Sequence, residues 1–208
     1  MTPDERFEQA DWAKDSGLLP AIVQHWCSGE VLMLGYMDRA ALAETRRRGK
    51  VTFFSRSRER LWTKGETSGH VLELKSLHLD CDADALLVRA EPVGPTCHLG
   101  TPTCFAAAPA LPLRFLAELD ALVARRVRER PSGSYTRRLL DSGIRAIAQK
   151  VGEEGVETAL AAVAQDDADL LGESADLLFH LSVLLHARGL DLAAVAAVLE
   201  TRHRAVDG

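Results

Sequence analysis

The sequence predicts an α+β N-terminal domain rich in β-strands with one main helix, followed by an all-α C-terminal domain. Three observations lead there. Short β-favouring runs give way to a helical repeat of apolar residues. At the change stands Ala-Ala-Ala-Pro-Ala-Leu-Pro (106–112), whose prolines interrupt any helix. All four cysteines and all three tryptophans precede that segment. A chain of 208 residues can hold two small domains, and the expected division is 1–108 and 109–208.

In the first half, Ala21 to His25, Val31 to Tyr36, Val51 to Ser55 and Ala85 to Ala90 are strand-like runs bounded by turn residues. Val71 to Leu79 alternates, but Leu72 and Leu74 share one face while Leu77 and Leu79 share the other. That slip predicts a bulge near Lys75 and Ser76. The main helix covers Ala40 to Arg48, with Asp38 as N-cap and Gly49 as stop. In the second half, Leu116, Leu119, Leu122, Val123 and Val127 mark a helix ending before Pro131. A second helix is expected from Tyr135 to Ala164, with Leu139, Leu140, Ile144, Ile147 and Val151 inward. A third spans Leu170 to His186, and a fourth Leu192 to Arg202 with Asp191 as cap. Four helices make a thin core, so pairing of two chains is expected.

Composition excludes several functions. A net charge of -5 argues against general binding to nucleic acid or anionic membranes. No uninterrupted apolar run reaches the roughly 18 residues of a membrane span. The segment before Leu18 carries Asp4, Glu5, Arg6, Glu8, Asp11, Lys14 and Asp15 and lacks the apolar core of a secretion signal. The expected location is the cytoplasm, where clustered thiols indicate metal binding or catalysis before disulfides.

Asp80-Cys81-Asp82-Ala83-Asp84 holds acids at every second position. If extended, Asp80, Asp82 and Asp84 share a face suited to magnesium, and Cys81 faces the other way. A solvated turn is the alternative. Cys81, Cys97 and Cys104 lack knuckle spacing, yet three thiolates would hold zinc and leave its fourth position open. The alternative, small buried apolar residues, suits Cys27. It suits Cys97 and Cys104 badly, because their loop is rich in glycine and proline. Upstream, Trp62 can stack on a purine, while Lys64, Thr67 and Ser68 can hold phosphate. Arg56, Arg58 and Arg60 read as a solvated strand face.

Gly-Lys-Val-Thr-Phe-Phe-Ser-Arg-Ser-Arg (49–58), Leu-Trp-Thr-Lys-Gly-Glu-Thr-Ser-Gly (61–69), Asp-Cys-Asp-x-Asp (80–84) and Gly-Pro-Thr-Cys-His-x-Gly (94–100), followed by Cys104-Phe105, together resemble phosphoribosyl-AMP cyclohydrolase. The resemblance covers Leu18 to Phe105. It implies magnesium on Asp80, Asp82 and Asp84, and zinc on Cys81, Cys97 and Cys104 shared across a homodimer. His70 stands where that family usually has asparagine. In the implied reaction, water adds to C6 of an adenine ring substituted at N1, and the N1–C6 bond breaks. Three thiolates donate much charge to zinc, so a neighbouring base should assist; His98 is the candidate for proton transfer. Lys64 is the second catalytic candidate.

The helical half carries Gly152-Glu153-Glu154-Gly155-Val156-Glu157. Helical spacing lets Glu153, Glu154 and Glu157 converge, and Glu173 and Asp176 sit one turn apart on the next helix. Magnesium would relieve their mutual repulsion; two acidic solvent faces are the alternative. Gly152 and Gly155 each cost a helix about 1 kcal/mol relative to alanine, and would allow close approach of a ligand or second helix. Glu-Glu-x-x-Glu followed by Glu-x-x-Asp resembles the all-α nucleotide pyrophosphohydrolases. Pro-Ser-Gly-Ser-Tyr-Thr (131–136), Ile-Ala-Gln-Lys-Val-Gly-Glu-Glu-Gly-Val-Glu-Thr (147–158) and Glu-Ser-Ala-Asp-Leu-Leu-Phe-His-Leu (173–181) narrow the resemblance to phosphoribosyl-ATP pyrophosphatase, over Phe115 to His203. It implies magnesium on all five carboxylates. Lys150, one turn before Glu154, is either a phosphate contact or a surface lysine.

The two resemblances support each other, since the product of the second domain is the substrate of the first. The implied substrates are phosphoribosyl-ATP and phosphoribosyl-AMP. The rival readings are a zinc-stabilised binding module fused to a general nucleoside triphosphate pyrophosphohydrolase, and one active domain beside a decayed one.

Overall fold

The computed structural model describes residues 7–14 and 16–206; Asp4, Glu5, Arg6 and Asp15 lie outside them. The chain divides into two compact units, Met1–Arg114 and Phe115–Gly208.

In the first unit, strands β1 (Leu19–His25), β2 (Val31–Met37), β5 (Leu72–Leu79) and β6 (Leu86–Pro92) form a sheet in the order β2-β1-β6-β5. The β1–β6 pair is parallel, and the two outer pairs are antiparallel. Register slips between Leu74 and Ser76, as the phase change in the sequence predicts. Strands β3 (Thr52–Ser55) and β4 (Arg60–Thr63) make a separate hairpin. Strand β4 has no counterpart among the sequence expectations. Helix α1 (Arg39–Arg48) starts at Asp38, whose Oδ1 accepts from Ala41 N at 2.6 Å, and ends at Gly49 in the left-handed region. Buried Thr45 locks this helix to β3: its hydroxyl accepts from Thr52 N at 2.9 Å and donates to Thr52 O at 3.1 Å. Leu19, Val23, Leu32, Met37, Val51, Phe53, Leu72, Leu86 and Val88 fill the core between these elements.

The second unit is helical: α2 (Arg114–Glu129), α3 (Tyr135–Asp141), α4 (Ile144–Ala164), α5 (Asp167–Ala187) and α6 (Leu192–Val206). One expectation fails here. The single helix from Tyr135 to Ala164 is two helices, because Gly143 takes φ 84 and the Ser142 hydroxyl donates to Leu139 O at 2.6 Å. Ile144, expected inward, is exposed beside that break. Among the described residues the buried apolar ones are few: Val123, Leu139, Ile147, Ala161 and Val183. Helices α4 and α5 form a hairpin, packed along their lengths, with a short turn capped by Asp166. By length and composition alone, α5 would pass for a membrane span. Its acids Glu173 and Asp176, and the packing of Val183 in the helical core, account for it as an element of the bundle.

Candidate active sites

Strand β4 and the loop after it build the first site. Trp62 is held by stacking on Phe53, with ring centroids 5.8 Å apart, so a core residue fixes the orientation of a half-buried aromatic. The loop then turns at Gly65. Its φ is +81, and a Cβ there would lie 2.4 Å from the carbonyl carbon of His70. Only glycine permits that approach. The turn brings Trp62, Lys64, Thr67, Ser68 and His70 to face Cys97 and His98 around a pocket of about 370 Å³. Gly65, Glu66, Pro95 and Gly100 also line it. Glu66, unassigned from sequence, holds Arg60 at 3.0 Å. Arg56, read as part of a solvated strand face, lies over the Tyr36 ring at 3.8 Å instead.

The cysteine loop is pinned to β2. The Thr103 hydroxyl donates to Val31 O at 2.7 Å, and Cys104 N donates to Leu32 O at 2.8 Å. The Cys97 thiol is shifted towards its thiolate, chiefly by the Leu99 backbone N–H and then by the Thr101 hydroxyl. Burial, then the neighbouring Cys97, pushes the Cys104 thiol up, while the charge of Lys64 opposes this. Cys97 and Cys104 therefore form one thiol pair with Lys64 nearby. His98 Nδ1 lies 3.9 Å from Cys97 Sγ.

The aspartate segment is not extended. Ala83 takes φ 63, and Asp80 Oδ1 accepts from the N–H groups of Asp84 and Ala85 at 3.0 and 3.1 Å. A carboxylate capping its own turn overrides the alternation. The turn still gathers Asp80, Asp82 and Asp84, with ligand oxygens within 4.8 Å of one another. Lys14 Nζ pairs with Asp84 and lies 3.8 Å from Asp82, a contact no sequence signal announced. Cys81 is exposed beside Asp82. Among the described residues, it does not join Cys97 and Cys104 in a three-ligand group.

The second site lies on the α4–α5 hairpin. Glu154, Glu157 and Glu173 bring ligand oxygens within 4.8 Å of one another. Loss of hydration, then the charges of Glu157, Glu154 and Asp176, holds the Glu173 carboxyl above its usual range. A divalent cation would reverse that penalty. Glu153 is instead engaged by Lys150 at 2.8 Å and Gln149 at 2.7 Å, which lower its pKa. Lys150 also lies 3.8 Å from Glu154. Asp176 is exposed, close enough to act on Glu173. Nothing lies within 4 Å of a Cβ built on Gly152 or Gly155, so that face of α4 is open. Buried His180 lies 3.4 Å from Glu154 and 3.1 Å from the Tyr135 hydroxyl. Both residues fall inside the quoted motifs, but nothing in their spacing shows that they meet.

Two family models match the chain: phosphoribosyl-AMP cyclohydrolase over residues 33–106, and phosphoribosyl-ATP pyrophosphohydrolase over residues 116–203. The chain is 66% identical over 194 residues to the histidine biosynthesis bifunctional protein HisIE of Xanthomonas axonopodis pv. citri, covering 93% of each. It is 54% identical over 204 residues to that of Escherichia coli K12, covering 98% of this chain and all of the relative. The Yersinia pestis protein is 53% identical over 203 residues, covering 98% of this chain and 99% of the relative. Cyclohydrolases of this family are metal-dependent and act on small-molecule substrates of histidine synthesis. The chain belongs to the bifunctional histidine-biosynthesis family: its N-terminal domain is a phosphoribosyl-AMP cyclohydrolase and its C-terminal domain a phosphoribosyl-ATP pyrophosphohydrolase.

Proposed function

We propose that residues 1–108 open the adenine ring with zinc on Cys81, Cys97 and Cys104 and magnesium on Asp80, Asp82 and Asp84. Residues 109–208 release pyrophosphate with magnesium on Glu154, Glu157 and Glu173, aided by Glu153 and Asp176. The observation carrying this reading is the presence of two oxygen clusters, one in each unit, each tight enough for a hard cation. A thiol pair beside a pocket adds the softer donors that zinc prefers. When bound, these metals supply Lewis acidity and neutralise phosphate charge.

The remaining work falls to the chain. Trp62, braced by Phe53, stacks on the adenine face. Thr67, Ser68 and Lys64 hold phosphate at the rim. His98 takes the proton from the attacking water and returns it as the N1–C6 bond opens. Lys150, already between Glu153 and Glu154, offers its charge to the triphosphate.

The working unit is a homodimer with zinc shared between chains. Cys81 stands outside the Cys97–Cys104 pair of its own chain, which leaves its thiol for a partner's pair. The helical unit also exposes Val156, Leu160, Val163 and Leu171, while its buried core is small. A reducing compartment, the cytoplasm, keeps Cys81, Cys97 and Cys104 as thiols available to a metal.

Chelator-stripped protein tests the metal assignment. With phosphoribosyl-ATP and magnesium alone it should release pyrophosphate and accumulate phosphoribosyl-AMP; added zinc should start ring opening. Ring opening without zinc would overturn it. For the dimer, a Cys81→Ala chain mixed with a Cys97→Ala chain should regain ring opening; a site built within single chains would stay inactive.

A further inference from the structure

We propose that Tyr135 and His180 are positioning residues of the pyrophosphatase centre: Tyr135 on α3 holds His180 on α5 by a hydrogen bond, and the imidazole, set against Glu154, fixes that carboxylate on α4. The inference rests on the reading of Glu154 as a metal ligand.

His180 and Glu154 are both buried, with side chains 6% and 8% exposed. His180 Nδ1 lies 2.9 Å from the backbone oxygen of Asp176 and 3.4 Å from Glu154 Oε1. A carbonyl oxygen only accepts, so Nδ1 carries hydrogen. On a singly protonated ring that leaves Nε2 with its lone pair. The Tyr135 hydroxyl, 3.1 Å away, then donates to Nε2. The Asp176 carbonyl therefore sets the tautomer, and Tyr135 satisfies Nε2 and holds the ring with its Nδ1 edge 3.4 Å from Glu154.

Among the described residues, Tyr135 is the hydrogen-bond partner of Nε2. The other contacts of the Tyr135 ring are a stack on Phe179, with centroids 6.0 Å apart, and the Arg138 guanidinium at 5.5 Å. Phe179 also meets the His180 ring edge-on at 5.3 Å. These contacts hold the two rings in place but supply no hydrogen bond to Nε2. Lys150 approaches Glu154 only at 3.8 Å and bonds Glu153 at 2.8 Å. The imidazole is thus the nearer group to Glu154, and because its N–H is given to Asp176 O, the carboxylate keeps its lone pairs for a cation. The same ring bonds the backbone at Asp176, so one side chain sets the spacing between the acids of α4 and those of α5.

Full-length, zinc-loaded variants test this. Tyr135→Phe keeps the ring stack and removes only the hydroxyl. It should raise the magnesium concentration for half-maximal pyrophosphate release about tenfold. The rate at saturating magnesium should change much less. In His180→Asn the amide nitrogen stands in for Nδ1, and in His180→Gln for Nε2. The asparagine variant should therefore retain tighter Mn²⁺ binding, measured by calorimetry, than the glutamine variant. The relevant binding event is the one lost in Glu154→Gln. Turnover of supplied phosphoribosyl-AMP should stay unchanged in all of them. Unaltered metal affinity in Tyr135→Phe, or equal affinity in the two His180 variants, would overturn the proposal. If Glu154→Gln itself loses no Mn²⁺ binding, the metal assignment fails instead, and the positioning role with it.

Discussion

Replacing Gly65 with alanine separates two costs at the cyclohydrolase pocket. The first is conformational: φ +81 places a side-chain-bearing residue in the left-handed region, at about 1–2 kcal/mol. The second is a collision. The new Cβ would lie 2.4 Å from both the carbonyl carbon and the oxygen of His70, against an ordinary contact of at least 3.4 Å. The loop must therefore move by about 1 Å, and it carries Thr67, Ser68 and His70 into the pocket. A misplacement of about 1 Å costs on the order of 100-fold in rate. Gly69→Ala is the matched control, because φ there is +77 and nothing lies within 4 Å of the added methyl. It carries the first cost alone. Supplied phosphoribosyl-AMP should thus be opened about 100-fold more slowly by Gly65→Ala than by Gly69→Ala. Pyrophosphate release should be unchanged in both. Equal ring-opening rates in the two variants would refute the argument from close approach.

Other variants probe the remaining elements. Glu154→Gln should lower pyrophosphate release on the order of 10²–10³-fold while sparing ring opening, read by supplying each substrate separately; normal release would remove Glu154 from the site. Ile147→Ala should destabilise the helical unit by about 2–5 kcal/mol in urea melts, since Ile147 is one of the few large buried apolar side chains described there; a change below about 1 kcal/mol would mean that this core is not what holds the unit. Hydrogen bonds from Arg47, then its charge and that of Arg48, lower the Glu44 carboxyl to about 2. A depressed carboxylate stabilises the fold above its unfolded pKa and loses that stabilisation as pH falls through the folded value. The melting deficit of Glu44→Gln should therefore be full at pH 6 and shrink between about 4.5 and 2; a deficit independent of pH would exclude this ion pair as its source.

Features encoded by neighbouring residues were readable from the sequence. Asp38 and Gly49 announce the ends of α1 because capping is a local event. The bulge after Leu74 shows as a slip in alternation. Strand β4 was missed because Arg60-Leu61-Trp62-Thr63 is four residues with a charge at one end, paired only with β3. The break at Ser142-Gly143 was hidden because the apolar period continues across it; the glycine was the available signal. The aspartate segment misled through its alternation, although an aspartate beginning a turn can cap it with its own carboxylate. Helical spacing brings Glu153, Glu154 and Glu157 to one side without choosing among them. The choice comes from Lys150 and Gln149, which engage Glu153, and from His180 on another helix, which faces Glu154. The Tyr135–His180 contact spans 45 residues and depends on how three helices pack.

The central claim is that one chain carries two independent sites acting in the order opposite to their positions along it. Product analysis of Cys97→Ala tests this most directly. Given phosphoribosyl-ATP, zinc and magnesium, this variant should release pyrophosphate at the unmodified rate and accumulate an equal amount of phosphoribosyl-AMP, with no ring-opened product. Continued ring opening, or loss of pyrophosphate release together with it, would contradict the account.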